Sequence, residues 1–132
     1  MPFWPYRYEL RVQWRDLDAA GHVNHAVYLT YMENARTTAY FELVGAERAN
    51  ELDIILARAV VDYRSAATMF DELVVEVTPG RVGETSFTLR YIITEKKSGR
   101  LLAEGETVQV FYDYAKQEKK KVPDALRAKL AP

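Results

Sequence analysis

Trp14-Arg15-Asp16-Leu17-Asp18-Ala19-Ala20-Gly21-His22-Val23-Asn24-His25-Ala26-Val27-Tyr28-Leu29 decides how the chain folds, because the pattern of its apolar residues changes along this stretch. Upstream, over residues 6–15, Tyr6, Tyr8, Leu10, Val12 and Trp14 alternate with Arg7, Glu9, Arg11, Gln13 and Arg15, the period of two of a half-buried strand. Asp16 should end that strand. Downstream, from about Val27, the apolar positions take helical spacing: Tyr28, Met32, Ala35, Ala39 and Leu43 form one stripe that stops at Gly45. The quoted window is therefore a strand-to-helix turn. It holds both histidines of the chain, His22 and His25, together with two carboxylates, Gly21 and Asn24. With Asn24 as N-cap, the backbone amides of His25, Ala26 and Val27 are expected to point outward unpaired at the positive end of the helix dipole, where a carboxylate stays ionised. That grouping makes the turn the candidate for catalysis.

Working outward, residues 46–53 read as a polar connection with room for a further helical turn, and strands follow. Ala57, Ala59, Val61 and Tyr63 alternate with polar neighbours, as do Leu73, Val75 and Val77, and then Phe87, Leu89, Tyr91 and Ile93. The breaks between these three antiparallel candidates fall at residues 65–71, 79–83 and 96–99, each with turn residues or charge. A last long strand spans 101–112, where Gly105 in mid-strand predicts a bulge or a close approach of another element. Pro123 and Asp124 open a short helix with Leu126 and Leu130 on one side. No repeat or low-complexity linker interrupts the chain, so residues 1–132 read as one domain. One striped helix and about five antiparallel strands make an α+β domain in which a curved sheet wraps around one long central helix. Such a sheet leaves an edge strand unpaired, which predicts a homo-oligomer of at least two copies.

Bulk properties narrow the function. The 132 residues include 18 Lys or Arg and 19 Asp or Glu, a formal net charge of -1, which provides no basic field for nucleic acid. The run Lys119-Lys120-Lys121 is too short to change that. Without cysteine there is neither a disulfide framework nor a thiolate zinc site, which fits a cytoplasmic location. No apolar segment approaches the roughly 18 residues of a membrane span, and the first residues lack the pattern of an export signal.

The turn Asp16-Leu17-Asp18-Ala19-Ala20-Gly21, the following Tyr28, and Ala35-Arg36-Thr37 resemble the 4-hydroxybenzoyl-CoA thioesterase family of hotdog-fold proteins. The likeness continues through Val61-Asp62-Tyr63-Arg64, Asp71-Glu72-Leu73, Val82-Gly83, Ser86-Phe87 and Leu102-Ala103-Glu104-Gly105. The resemblance implies a hotdog fold, dimers or tetramers with the active site between subunits, and hydrolysis of an acyl thioester without a metal or redox cofactor. By position Asp18 corresponds to the catalytic aspartate, as nucleophile or as general base for water. His25 corresponds to the residue whose backbone N–H polarises the thioester carbonyl, the role that capping also gives it. One preorganised donor there is worth about 3 kcal/mol of barrier. The His25 side chain resembles that of the cell-envelope-associated branch of short-chain acyl-CoA thioesterases, where it assists the aspartate. His22-Val23-Asn24 resembles the acyl carrier protein thioesterases instead, but Ala20 stands where those enzymes have an asparagine, leaving an Asp-Asn-His set incomplete. Asn24, Tyr28, Arg64 and Arg81 are the candidate substrate contacts. Arg81 is the single cation among residues 81–85, where the aromatic-acyl branch clusters several, so coenzyme A and acyl carrier protein both stay open as the carrier.

Plainer roles compete at several of these positions. Asp16 reads as a brace for the turn and His22 as a hydrogen-bonded turn residue. Asp16, Asp18, His22 and His25 contain metal-ligating atoms, but their spacing matches no standard zinc pattern. The stripe of Tyr28, Met32, Ala35 and Ala39 is ordinary core, and Glu33 with Arg36 is first a surface or interface ion pair. A non-catalytic acyl-binding domain on the same scaffold is the competing class, and a hydratase the competing enzyme.

Overall fold

In the computed structural model, which describes residues 2–46, 48 and 52–131, the backbone runs β1 (Tyr6–Arg11), a 3-10 turn (Trp14–Asp16), α1 (His25–Val44), β2 (Ile54–Tyr63), β3 (Glu72–Val82), β4 (Ser86–Glu95), β5 (Leu101–Asp113), β6 (Glu118–Lys119) and α2 (Asp124–Leu130). The strands form one antiparallel sheet in the order β1-β3-β4-β5-β2, with β6 added to β5. The helical turn expected within 46–53 falls largely on residues outside those described. Alternation works as anticipated in β3 and β4: Leu73, Val75, Val77, Phe87, Leu89, Tyr91 and Ile93 line the inner face and are buried. Across that face lies α1, packed mainly on β3 and β1.

The helix buries Tyr28, Tyr31, Met32, Ala35, Arg36, Ala39 and Tyr40, a wider stripe than the sequence pattern picked out. It begins at His25, two residues earlier than the apolar spacing alone suggests, because Asn24 caps it there. It ends where Gly45 takes φ 72, a left-handed C-terminal residue whose N–H returns to the Phe41 carbonyl. Arg36 is not at the surface. Its guanidinium is buried and donates to the Tyr91 hydroxyl at 3.3 Å, while Glu33 approaches only to 3.8 Å and stays exposed.

Two strand boundaries differ from the sequence reading, each for a local reason. The first strand stops at Arg11 rather than Arg15, since the Gln13 N–H donates to the Asp16 carboxylate at 2.9 Å and the Asp16 N–H to the Gln13 carbonyl at 2.9 Å, folding the chain into the 3-10 turn. Trp14, placed by alternation on the buried face, is 77% exposed. At the other boundary β3 runs through Pro79 and Gly80 to Val82, with a register shift against β4 between Pro79 and Val82. The Thr88 side chain fills the space left by the missing Cβ of Gly80 and accepts from the Arg81 N–H at 2.7 Å. A strand bulge thus replaces the expected turn.

Gly105 shows the close approach. It sits in unbroken register between Tyr91 of β4 and Val61 of β2, so it is not a bulge. A Cβ there would stand 2.5 Å from the Met32 Cε and 3.0 Å from the Val60 carbonyl oxygen. The helix therefore sits where it does because β5 has no side chain beneath Met32. Overpacking of this kind costs about 1–3 kcal/mol. Gly105→Ala is expected to lower unfolding free energy by that amount in chemical denaturation, and an unchanged midpoint would show that the helix does not rest on this position.

Candidate active site

Between β1 and α1 the chain makes a tight turn that is fixed almost wholly by backbone hydrogen bonds. The Asp18 N–H donates to the His22 carbonyl at 2.8 Å, Gly21 N–H to the Asp18 carbonyl at 3.1 Å, and Asn24 N–H to the Asp16 carbonyl at 2.8 Å. Gly21 adopts φ 83, which glycine enters without strain. Within this turn Asp18 Oδ1 accepts from the Ala20 N–H at 2.9 Å and the His22 N–H at 3.2 Å. Its second oxygen has no protein hydrogen-bond partner among the described residues. Ala20 thus supplies a backbone donor at the position where a side-chain amide was missed. Asp16 is turned away and bonded to the Tyr31 hydroxyl at 2.8 Å and to Gln13, which makes it the brace that its sequence position suggested. That carboxylate, together with burial as the larger cause, pushes the Tyr31 phenol far above the ordinary tyrosine range.

The helix start is more selective than expected. The Asn24 side chain accepts from the Ala26 N–H at 2.9 Å, and the Asn24 carbonyl accepts from the Val27 N–H at 2.9 Å. Two of the three amides expected to be open are therefore taken within the cap. His25 N–H is the one left without a protein partner among the described residues, and it carries the positive end of the helix dipole alone. Capping also occupies the Asn24 side-chain oxygen, so this residue acts first on the helix.

Asp18 and His25 share one cleft of about 360 Å³ with His22, Val23, Tyr28, Tyr63, Arg64, Ser65 and Ala66. Tyr28 is its buried floor; burial raises its phenol above the ordinary value, and its oxygen accepts from the Ala67 N–H at 3.2 Å. The Tyr28 and Tyr63 rings meet edge to face at 5.5 Å, closing the apolar wall. Arg64 stands at the mouth, half exposed and 3.1 Å from Glu104. Ser65 donates its hydroxyl to the Leu101 carbonyl at 2.6 Å, so it is engaged as a structural tie. Arg81 does not join this cleft: it lies nine residues along β3 from Glu72, on the order of 30 Å at strand rise, at the far end of the sheet. Tyr63 and Ser65 were not among the candidates. The alternation of β2 marked Tyr63 only as a strand residue, and nothing in a single sequence shows that the strand ends against the helix start.

A carboxylate held by two amides, sharing a cleft with a helix-terminal N–H and an aromatic wall, has the groups to deliver or activate an oxygen nucleophile toward a carbonyl carbon whose oxygen the N–H receives. The comparisons with known proteins point to thioester hydrolysis. Residues 12–130 match the model of the thioesterase-like superfamily. The acyl-CoA thioester hydrolase YbgC of Escherichia coli O6:H1 is 30% identical over 128 residues, covering 93% of each chain. A thioesterase from Thermus thermophilus, solved with coenzyme A and zinc, superposes with a TM-score of 0.85 at 32% identity, covering 96% of this chain and 97% of that one. A predicted thioesterase from Bacillus stearothermophilus superposes at 0.88 over 95% and 92% of the two chains, and at 22% identity it speaks for the fold alone. The architecture is the hotdog fold that the turn motif implied.

Asn24→Ala removes the cap and opens the Ala26 N–H beside that of His25. Loss of about 1 kcal/mol of stability is expected in denaturant unfolding. Wild-type stability in the variant would mean that the cap does not hold the helix start.

Proposed function

The chain belongs to the thioesterase-like superfamily, and on that premise we propose that it hydrolyses acyl-CoA thioesters in the cleft between Asp18 and the first turn of α1. The supporting observation is the single open amide of His25 sharing a cleft with the free carboxylate oxygen of Asp18. As oxygen attacks the thioester carbon, negative charge gathers on the carbonyl oxygen. The His25 N–H receives it, reinforced by the helix dipole. Asp18 either attacks directly, giving an acyl anhydride that water then opens, or takes a proton from water as that water attacks. Collapse of the tetrahedral species breaks the C–S bond and releases the coenzyme A thiolate. The two backbone donors on Asp18 Oδ1 hold the side chain in the turn and leave its other oxygen for the reaction.

The carrier is recognised, in this reading, by its phosphates. Arg64 at the mouth is placed to meet one of them by a charge-assisted hydrogen bond, exchanging part of its contact with Glu104. Tyr28 and Tyr63 would flank the first carbons of the acyl group. The His25 side chain, exposed at the rim, stands beside the reacting centre and assists Asp18.

A second copy of the chain completes the proposal. Edge strand β2 exposes Ile55, Leu56, Val60 and Tyr63, each 36–48% accessible, along an unpaired row of backbone donors and acceptors. An edge of ten residues with that much apolar surface is stabilised by antiparallel pairing with its equivalent, which would also roof the open cleft.

Asp18→Asn keeps the shape of the turn and removes the charge. Turnover of acyl-CoA is expected to fall at least about 100-fold, followed as thioester absorbance, with folding and oligomer size unchanged. Full turnover in this variant rules out the mechanism. Tight acyl-CoA binding by the wild type without thiol release would assign the chain to the non-catalytic class instead.

A further inference from the structure

Tyr63 ends β2, and its hydroxyl donates to the carbonyl oxygen of His25 at 2.7 Å. That carbonyl belongs to the peptide unit joining residues 25 and 26, whose N–H, that of Ala26, is bound by Asn24 Oδ1. One peptide plane is thus gripped at both its oxygen and its hydrogen. The preceding plane, joining residues 24 and 25, has its carbonyl bound by the Val27 N–H and its own N–H, that of His25, left open. A donor on a carbonyl polarises the peptide behind it, and a plane fixed on each side of the His25 Cα fixes where the open N–H points.

The rest of the packing supports the same role. Tyr63 lies edge-on to both Tyr28, at 5.5 Å, and His25, at 6.4 Å, so its ring is held from two sides although nearly half its surface is exposed. The end of β2 is itself pinned, since the Arg64 and Ser65 N–H groups both donate to the Leu102 carbonyl at 2.8 and 3.2 Å. Strand, hydroxyl and helix start therefore form one rigid connection from the sheet to the open amide.

We infer that Tyr63 is a positioning residue for the reaction: its hydroxyl fixes the first peptide of α1 so that the His25 N–H points at the developing oxyanion. The inference rests on the thioesterase reading, and it concerns the Tyr63 hydroxyl, which acts on the reacting centre through His25 while the ring lines the cleft. Since the alignment matters most when charge has formed, its loss should appear in kcat and not in substrate binding.

Tyr63→Phe keeps the ring and deletes the bond. A fall in kcat of about 10-fold is expected, with KM within about 2-fold and the melting temperature unchanged, together with a shift of the Ala26 and His25 amide resonances in nitrogen–proton spectra. A purely structural tyrosine would lower stability and leave kcat per folded molecule as it was; that result overturns the inference, as does a KM effect without a kcat effect. Should the Phe variant not fold, the unsubstituted protein still decides the matter: protection of the Tyr63 hydroxyl proton against exchange supports the bond, and free exchange overturns it. Asp18→Asn assayed in parallel separates the outcomes, because unimpaired turnover there removes the thioesterase mechanism itself, whereas unimpaired turnover in Tyr63→Phe alone removes only this role.

Discussion

The start of an α-helix has more N–H groups than the helix can use, and what happens to them at residues 24–27 governs this molecule. Asn24 takes two, one by its side chain and one by its carbonyl. The remaining amide, at His25, has the dipole of a twenty-residue helix behind it and belongs to a residue that lines the cleft. Closing all of these donors would make an ordinary helix start, and leaving them all open would spread the positive potential over several directions. Capping two and sparing one yields a single donor with a defined aim.

The rest of the fold can be read as support for that aim. Gly105 lets Met32 sit close on β5, which seats the helix on the sheet. Asp16 bonds Tyr31, tying the turn to the helix side, while Tyr63 ties β2 to the helix start. Arg36, deep in the layer between helix and sheet, reaches Tyr91, whose hydroxyl shares a 2.6 Å hydrogen bond with Thr107. A buried guanidinium held by a neutral hydroxyl and a long 3.8 Å contact to Glu33 is costly by itself. It faces the cavity bordered by Leu29, Glu33 and Leu56 along the exposed side of β2, the flank that a second copy would cover in the proposed dimer.

Much of this was legible in the sequence, and the reasons are local. Strand alternation from Leu73 to Ile93, the Asn24 cap, the Gly45 stop and the unusual Gly105 each express a rule that acts within a few residues. The turn motif singled out Asp18 and His25, and the fold brings them into one cleft. What escaped depends on contacts distant in sequence or on competition between side chain and backbone. Trp14 follows the alternation, yet Asp16 captures the Gln13 N–H and turns the chain first. Pro79-Gly80 looks like a turn, yet Thr88 across the sheet supplies the acceptor that keeps it a strand. Arg36 looks like a surface partner for Glu33 until Tyr91, fifty-five residues on, is placed beneath it. The selective capping of Ala26 and Val27 also lay beyond a pattern that names the cap but not its hydrogen bonds.

In the proposed reaction a thioester carbonyl docks with its oxygen on the His25 N–H and its carbon toward Asp18. An inert ketone analogue of acyl-CoA, with a methylene in place of sulfur, allows this to be seen in a crystal structure of the complex. The ketone oxygen is expected within hydrogen-bond distance, about 3 Å, of the His25 nitrogen, with the Asp18 carboxylate facing the carbonyl carbon. A ketone bound with its oxygen elsewhere, or an Asp18 side chain turned out of the cleft in that complex, would contradict this docking.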